Sequence, residues 1–251
     1  MNIEEELLYK RFIELARKSD SGYYTFSDFL GLMEQSVFNE AKFKFGGVKY
    51  SLFGGAEGCE RVMVRFGDPE DLGYEEPFPI KIILAEPKAP KFADKLSHRD
   101  FLGAILNLGI ERKAIGDIII KDNSGYIFVK HDMAEYVAST LEKVKRTAVK
   151  AQITDTLPNG ELFKTELKMI QLSGERIDAV ISKIYSISRE DSISLFKKRL
   201  VFVSGKLCEN NSYVPKTCDV ISVRGFGRFI YRGITSTSKK GKLNALVEMY
   251  V

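Results

Sequence analysis

The sequence predicts an α+β protein made of successive modules. Three observations carry this reading. Apolar residues recur at helical spacing over residues 3–18 and again between 177 and 199. Between residues 80 and 153, short apolar runs alternate with helical patterns in the order βαββαβ. Pro/Gly-bearing polar stretches at 68–79 and 157–160 break the chain between these regions. A chain of 251 residues is long enough for two or three small domains. The expected division is an N-terminal helical and hairpin domain at 1–75, the βαββαβ domain at 76–156, a linker at 157–173, and a C-terminal domain at 174–251.

Residues 3–18 read as an amphipathic helix. Leu7, Leu8, Phe12, Ile13 and Leu15 form its apolar side, and Glu4-Glu5-Glu6 favours the N-terminal end of its dipole. Tyr23-Tyr24 falls in a turn after Ser21-Gly22. A second helix is expected to start near Thr25 or Ser27, with Phe29, Leu30, Met33 and Val37 facing in. Lys49–Phe53 and Arg61–Phe66 read as strands, joined by Gly54-Gly55-Ala56-Glu57-Gly58-Cys59-Glu60-Arg61. Glycine turns of this kind cradle phosphates in some proteins. This one lacks the terminal lysine and the spacing of a phosphate loop, so a hairpin or bulge is the plainer reading. Arg61 and Arg65 remain candidate RNA contacts.

In the middle region the strands are Ile80–Leu84, Ile115–Ile120, Tyr126–Val129 and Val149–Ile153. The helices are Ser97–Leu108, with Ser97 and Asp100 as a capping pair, and Met133–Val144. This is the ferredoxin-like order, which RNA-recognition motifs share. Gly125-Tyr126-Ile127-Phe128-Val129 resembles in part their third-strand signature, in which two aromatics on one sheet face stack on bases. Ser124 stands where that signature has a cation, and Ile127 where it has a small residue. Base stacking and core packing are both open for Tyr126 and Phe128. Glu111-Arg112-Lys113 reads as a charged turn.

Composition narrows the function. The net charge is +4, yet residues 174–251 hold 14 Lys/Arg against 7 Asp/Glu, leaving residues 1–173 at −3. Positive charge is thus concentrated in the C-terminal region. Three cysteines without Cys-x-x-Cys spacing argue against a disulfide framework or a zinc site and fit a reducing cytoplasm. Neither a membrane span nor a signal peptide is expected. Two histidines, His98 and His131, are too few for a multi-histidine metal site. His98-Arg99-Asp100 echoes a kinase triplet, but Ile105 stands where that motif needs Asn. No catalytic centre and no cofactor are expected.

The C-terminal region carries the most specific pattern. Ile177, Val180, Ile181 and Ile184 give one helix an apolar face. Ser188 opens a second helix, with Asp191 three places on as its capping partner. Ser204-Gly205 reads as a tight hairpin turn between Val201-Phe202-Val203 and Lys206. Arg176, Lys183, Arg189, Lys197, Lys198, Arg199 and Lys206 are the cations on this helix–helix–hairpin. A solvated charged face and a phosphate-gripping face are both compatible with them. Further on, Arg224, Arg228 and Arg232 fall on one side of an extended segment and Phe229 and Tyr231 on the other. That pattern suits RNA contact or a half-buried strand. Thr235–Lys242 reads as a polar loop and Leu243–Val251 as a closing strand.

The run Arg176-Ile177-Asp178, Ser188-Arg189, Val201-Phe202-Val203-Ser204-Gly205-Lys206 resembles the αL-motif RNA-binding domain of the S-four type. Ser204 replaces its Asn, Arg199 the Gly that ends its second helix, and Cys218 the Gly before Asp219. The resemblance implies RNA contacts from Arg176, Lys183, Arg189, Lys197, Lys198, Arg199 and Lys206, with Ser188 positioning the second helix; Arg228 is a further candidate RNA contact from the basic side of the extended segment.

Outside this module, Phe29-Leu30, Gly54-Gly55 with Glu60-Arg61, and the run from Phe101-Leu102-Gly103-Ala104-Ile105-Leu106-Asn107-Leu108-Gly109-Ile110-Glu111-Arg112-Lys113 to Ile115-Gly116-Asp117-Ile118 resemble the YlmH family of bacterial RNA-binding proteins. That resemblance implies a cytoplasmic, non-enzymatic RNA binder; the expected partners are rRNA on the large ribosomal subunit and peptidyl-tRNA, and the expected state is a monomer. Relatives are linked to ribosome-associated quality control and are encoded near cell-division genes. Two other classes stay open on sequence alone. One is an RNA-modifying enzyme that docks through the C-terminal module, for which Asp117 as catalytic carboxylate and the Gly54 loop as cofactor loop are the best candidates, though neither has a partner in the sequence. The other is a cell-division adaptor whose acidic first helix binds protein.

Overall fold

In the computed structural model the described residues are 2–238 and 241–250. The protein is α+β, with seven α-helices and three sheets among those residues. It divides into two compact units, Met1–Leu162 and Phe163–Val251. Residues 1–75 and 76–156, expected as separate domains, fall within the first unit, where each has its own core. Among the described residues no helix is long and apolar enough to cross a membrane.

The first unit opens with α1 (Ile3–Asp20). Asn2 caps it: its side chain accepts from Glu5 N at 2.8 Å, and the Glu5 carboxylate accepts from Asn2 N at 3.0 Å. Phe12, Leu15 and Ala16 are buried. Leu7, expected beside them, is exposed, as is Ile3, whereas Leu8 and Tyr9 pack against the core.

The second helix, α2 (Leu32–Ala41), does not begin at Thr25 or Ser27. Those residues lie in and beside β1 (Thr25–Phe26), and their hydroxyls have distant partners. Thr25 Oγ1 donates to Leu15 O, and Ser27 Oγ accepts from Val64 N, each at 2.8 Å. Next come β2 (Tyr50–Phe53) and β3 (Met63–Phe66), an antiparallel pair that completes a sheet of order β1-β3-β2. A short helix, α3 (Pro69–Leu72), occupies part of the polar boundary that follows.

The middle sheet contains β4 (Ile80–Pro87), β5 (Ile115–Lys121), β6 (Ser124–Lys130), β7 (Lys143–Val144) and β8 (Thr147–Thr154), in the antiparallel order β5-β6-β4-β8-β7. Its helices are α4 (His98–Leu106) and α5 (His131–Thr140). The βαββαβ order is present, with β7 inserted before the final strand. Ser97 N and Oγ both donate to Asp100 Oδ2, at 2.8 and 2.6 Å, so the predicted capping pair forms. The second helix, expected to reach Val144, stops at Thr140, and Lys145 at φ 54° turns the chain from β7 into β8. Ile83, Ile127 and Val129 face the helices and pack with Phe101, Ile105, Ala134 and Val137.

Tyr126 and Phe128 lie on the opposite sheet face by alternation. Phe128 is fully buried there, because the glycine loop folds onto it. A Cβ on Gly55, which sits at φ +101°, would collide with the Phe128 ring. Core packing is therefore the role of Phe128. The same loop is tied down by Arg61. Its Nε donates to Ile115 O at 2.9 Å, and its Nη2 donates to Phe29 O and Arg112 O at 3.1 Å. Arg65 lies over the Tyr24 and Phe78 rings and donates to Glu76 O at 2.7 Å. Both arginines, candidate RNA contacts by sequence, have donors engaged inside the unit.

The second unit is one six-stranded antiparallel sheet with two helices on one face. Its strands are β9 (Thr165–Leu172), β10 (Val201–Val203), β11 (Lys206–Leu207), β12 (Val220–Val223), β13 (Gly227–Thr237) and β14 (Leu243–Tyr250), in the order β11-β10-β12-β13-β14-β9. β9 lies in the stretch expected as a linker. It pairs with β14 from Thr165↔Tyr250 to Leu172↔Leu243. The expected loop from Thr235 to Lys242 is shortened, because β13 continues to Thr237. Lys239 and Lys240 of that loop, like Val251 of the closing strand, lie outside the described residues. The helices α6 (Ile177–Tyr185) and α7 (Arg189–Lys197) bury Ile177, Val180, Ile181, Ile184, Leu195 and Phe196 against Val201, Ile221, Phe229, Tyr231, Ala245 and Val247.

Candidate nucleic-acid interface

The helix pair of the second unit is built around one carboxylate. Asp178 lies at the start of α6 and is fully buried. Its Oδ2 accepts from Arg176 Nη2 at 3.0 Å and from Arg189 Nη2 at 3.1 Å, while Arg176 Nε donates to Oδ1 at 3.2 Å. Ala179 N donates to Oδ1 at 2.9 Å, and the Asp178 carbonyl accepts from Ser192 Oγ at 2.8 Å. The side chains of Arg176 and Arg189 are each 46% exposed, so each guanidinium has one side in solvent. A lone buried carboxylate is costly, and paired with two cations it fixes both of them. The Arg-x-Asp and Ser-Arg elements therefore meet in space.

Ser188 begins α7 as predicted. Its Oγ accepts from Asp191 N at 3.0 Å and donates to Asp191 Oδ2 at 2.7 Å. The turn between the helices uses Ser186 at φ 55°, and Ser182 Oγ closes it by donating to Ile187 O at 2.7 Å. At the other end, α7 terminates in a Schellman arrangement. Arg199 N donates to Phe196 O at 2.9 Å and Leu200 N to Leu195 O at 3.0 Å. Arg199 occupies the left-handed position at φ 56°, where the motif usually has Gly. Cys218 likewise stands at φ 71° and Ser204 at φ 48°. All three departures from the pattern keep the backbone turn and carry a side chain in it. Ser204 and Gly205 (φ 73°) form the hairpin turn that exposes Lys206.

The cations fall into separate groups. Arg176 and Arg189 converge on Asp178. Lys197, Lys198 and Arg199 are exposed at the far end of α7, roughly 13 Å along the helix from Arg189 at 1.5 Å per residue. Lys183 is exposed on α6. Arg228 is not with them. It alternates with the core residue Phe229, so it points to the sheet face away from the helices. Its guanidinium lies 3.8 Å from the Tyr250 ring centroid and 5.0 Å from that of Phe163. Arg224 precedes the turn into β13 and lies over Phe202, so it does not extend a stripe with Arg228 and Arg232. Arg232 is paired with Glu248, and Phe229 and Tyr231 are buried, as in the half-buried-strand alternative.

Sequence reading missed the loop that closes this site. Ile177 N donates to Tyr213 O at 2.8 Å, and Asn211 Nδ2 reaches Asp178 Oδ2 at 3.5 Å. Tyr213 is held in turn by Asp219, which accepts its hydroxyl at 2.7 Å. Burial, together with that hydrogen bond, pushes the Tyr213 phenol up to about 12. No local signal marks Asn211 or Tyr213 as part of the site, because their partners on α6, Asp178 and Ile177, are distant in sequence.

In the first unit, Asp117 accepts from the backbone N–H groups of Glu60 and Arg61. The candidate catalytic carboxylate and the glycine loop are thus bound to each other. Arg112 stands beside them, with Nη1 donating to Ile115 O at 2.6 Å; burial and the neighbouring Arg61 bring its pKa down to about 10.

Residues 75–157 match the family model described as "Putative RNA-binding domain in YlmH". The matched span is the middle sheet with α4 and α5. Over 98% of its length the chain is 28% identical to the "Ribosome-associated protein quality control protein P2" of Bacillus subtilis (strain 168), covering 93% of that protein. Among solved structures it is similar to the "Cell division protein ylmH from Streptococcus pneumoniae", with 24% identity, a TM-score of 0.47, and coverage of 61% of this chain and 93% of that one.

Proposed function

We propose that this chain is a non-catalytic RNA-binding protein of the YlmH family that acts on the large ribosomal subunit in ribosome-associated quality control. The observation that carries the reading is the extent of the likeness. A protein named for ribosome-associated quality control is similar over 98% of the chain, and the matched RNA-binding model falls inside that span.

Within the chain we assign the main rRNA contact to residues 174–251, as an S-four module. The exposed sides of Arg176 and Arg189 and the cations Lys183, Lys197, Lys198, Arg199 and Lys206 bind phosphates there. Ser188 holds α7 in register. Such contacts set affinity and orientation while reading little base sequence. Arg228, on the other sheet face and stacked on Tyr250, contacts a neighbouring segment of RNA. Peptidyl-tRNA on an obstructed subunit is the proposed adjoining partner. The protein works in the cytoplasm, as a monomer and without a cofactor.

Sucrose-gradient fractionation of lysate at low and high salt tests this. Co-migration with free large subunits that is lost as salt rises is the expected result. Migration at the top of the gradient at both salt concentrations would remove the ribosome from the reading.

A further inference from the structure

The RNA-binding match covers residues 75–157, yet of the two aromatics that would stack on bases from the sheet, Phe128 is buried under the glycine loop and Tyr126 is only partly exposed. Another aromatic in this span is almost wholly exposed. Phe92 has 91% of its surface in solvent, at the end of the short 3-10 turn Pro90–Phe92. A single exposed phenylalanine is ordinary. The frame around this one is not.

The loop that carries it is bonded on both sides. Lys88 N donates to Ala148 O at 2.9 Å, which fixes its entry to β8. Asp94 N donates to Thr147 Oγ1 at 2.9 Å. Asn123, at φ 63° in the β5–β6 turn, accepts from Leu96 N at 2.7 Å and donates to Asp94 O at 2.9 Å. Within the loop, Phe92 N donates to Ala89 O at 3.1 Å and Ala93 N to Pro90 O at 3.3 Å. Phe92 is therefore displayed on a backbone with little freedom left to lose on binding.

Cations surround it. Lys88, Lys91 and Lys95 are exposed in the loop, against the single carboxylate of Asp94. The adjoining β7–β8 turn adds the exposed Arg146 and also Lys145, which is paired with Asp100 at 3.2 Å. An aromatic face among lysines fits a base and the phosphates on either side of it. A membrane-inserting loop would need several large apolar side chains, and the neighbours here are Ala89, Pro90 and Ala93.

We propose that the Lys88–Lys95 loop, with the turn at Arg146, is a second RNA contact, in which Phe92 stacks on an unpaired base and Lys88, Lys91, Lys95 and Arg146 neutralise the flanking phosphates. The inference rests on the RNA-binding reading above and adds to it a site for single-stranded nucleotides.

The chain contains no tryptophan, so Phe92→Trp supplies a sole reporter. The full chain with this substitution is titrated at fixed salt with an RNA hairpin bearing an oligouridine overhang, with the same hairpin blunt-ended, and with phosphatidylglycerol vesicles. Quenching of the indole emission by the overhang RNA is expected. Phe92→Ser, at a solvent-exposed position, should weaken overhang binding roughly tenfold and leave the blunt hairpin unaffected. Emission unchanged while the RNA binds would overturn the stacking site and leave the RNA-binding reading standing. Failure of the unsubstituted chain to bind either RNA would overturn both. A blue shift with vesicles and no quenching by RNA would make this a membrane-facing loop and sink the proposal.

Discussion

Asp178 shows how one side chain can serve both fold and surface. It is fully buried, and both cations that neutralise it reach into solvent. Asp178→Ala removes the carboxylate and also its bond to Ala179 N, and should cost about 3 kcal/mol of stability in a urea melt. Arg189→Ala is milder, since Arg176 stays paired, but it disturbs the fold as well as the surface. Lys198 is the cleaner probe. It is exposed at the helix end, and Lys198→Ala should leave the melt unchanged while lowering the slope of log K against log salt for RNA by about one. A shifted melt would show that Lys198 has a structural task. At this scale the sequence was readable where partners are local. Ser188 with Asp191 and Ser97 with Asp100 lie three residues apart and could be paired by eye. Thr25 and Ser27 look equally like caps, yet their partners are Leu15 and Val64.

At the scale of elements, the end of α7 couples strain to charge. Arg199 holds a left-handed turn that favours glycine. Arg199→Gly should relieve about 1 kcal/mol, raising thermal stability, while weakening RNA binding. Loss of stability would mean that contacts of the Arg199 side chain outweigh the backbone strain. β9 makes a second case. Thr165–Leu172 does not read as a strand in the sequence because its apolar residues change faces midway: Leu167 and Met169 point out, Ile170 and Leu172 in. Only pairing with β14 reveals the strand. A fragment of residues 163–251 should therefore fold, whereas one starting at 174 leaves β14 unpaired along one edge. The shorter fragment is expected to melt at lower temperature and to aggregate, as circular dichroism and light scattering would report. Equal behaviour of the two fragments would make β9 dispensable. The short β7–β8 hairpin was hidden for a similar reason, since Lys145 takes a positive φ that nothing in its residue type announces.

For the whole molecule, charge and contact point in different directions. The full chain carries +4, less than the +7 of residues 174–251 taken alone. If net charge governed RNA affinity, residues 163–251 would show the steeper salt dependence. With a second contact at Lys88, Lys91, Lys95 and Arg146, the full chain should instead be steeper, by roughly one unit for each added phosphate contact. Salt titrations of both proteins on the overhang RNA decide between the two. The α+β class, the βαββαβ order and the helix–helix–hairpin were legible because each rests on periodicity and on turns marked by Ser, Asp or Gly. The joining of residues 1–75 to the middle sheet was not, because Gly55 against Phe128 and Arg61 against Ile115 are long-range contacts with no sequence signature.

The place of β14 between β13 and β9 also bears on how the protein is made. β9 is the earliest strand of its unit in the chain and β14 the latest, so Leu172 waits for Leu243 before its edge is covered. A chain without β14 would leave Leu167, Met169 and Ile170 on a strand lacking its only neighbour in the sheet. Pairing across so long a loop is slow, and the waiting strand is open to wrong partners. Synthesis of β14 would then be the step that closes this sheet. Nascent chains halted before Leu243 should be captured by holdase chaperones, and release should follow once β14 has left the exit tunnel.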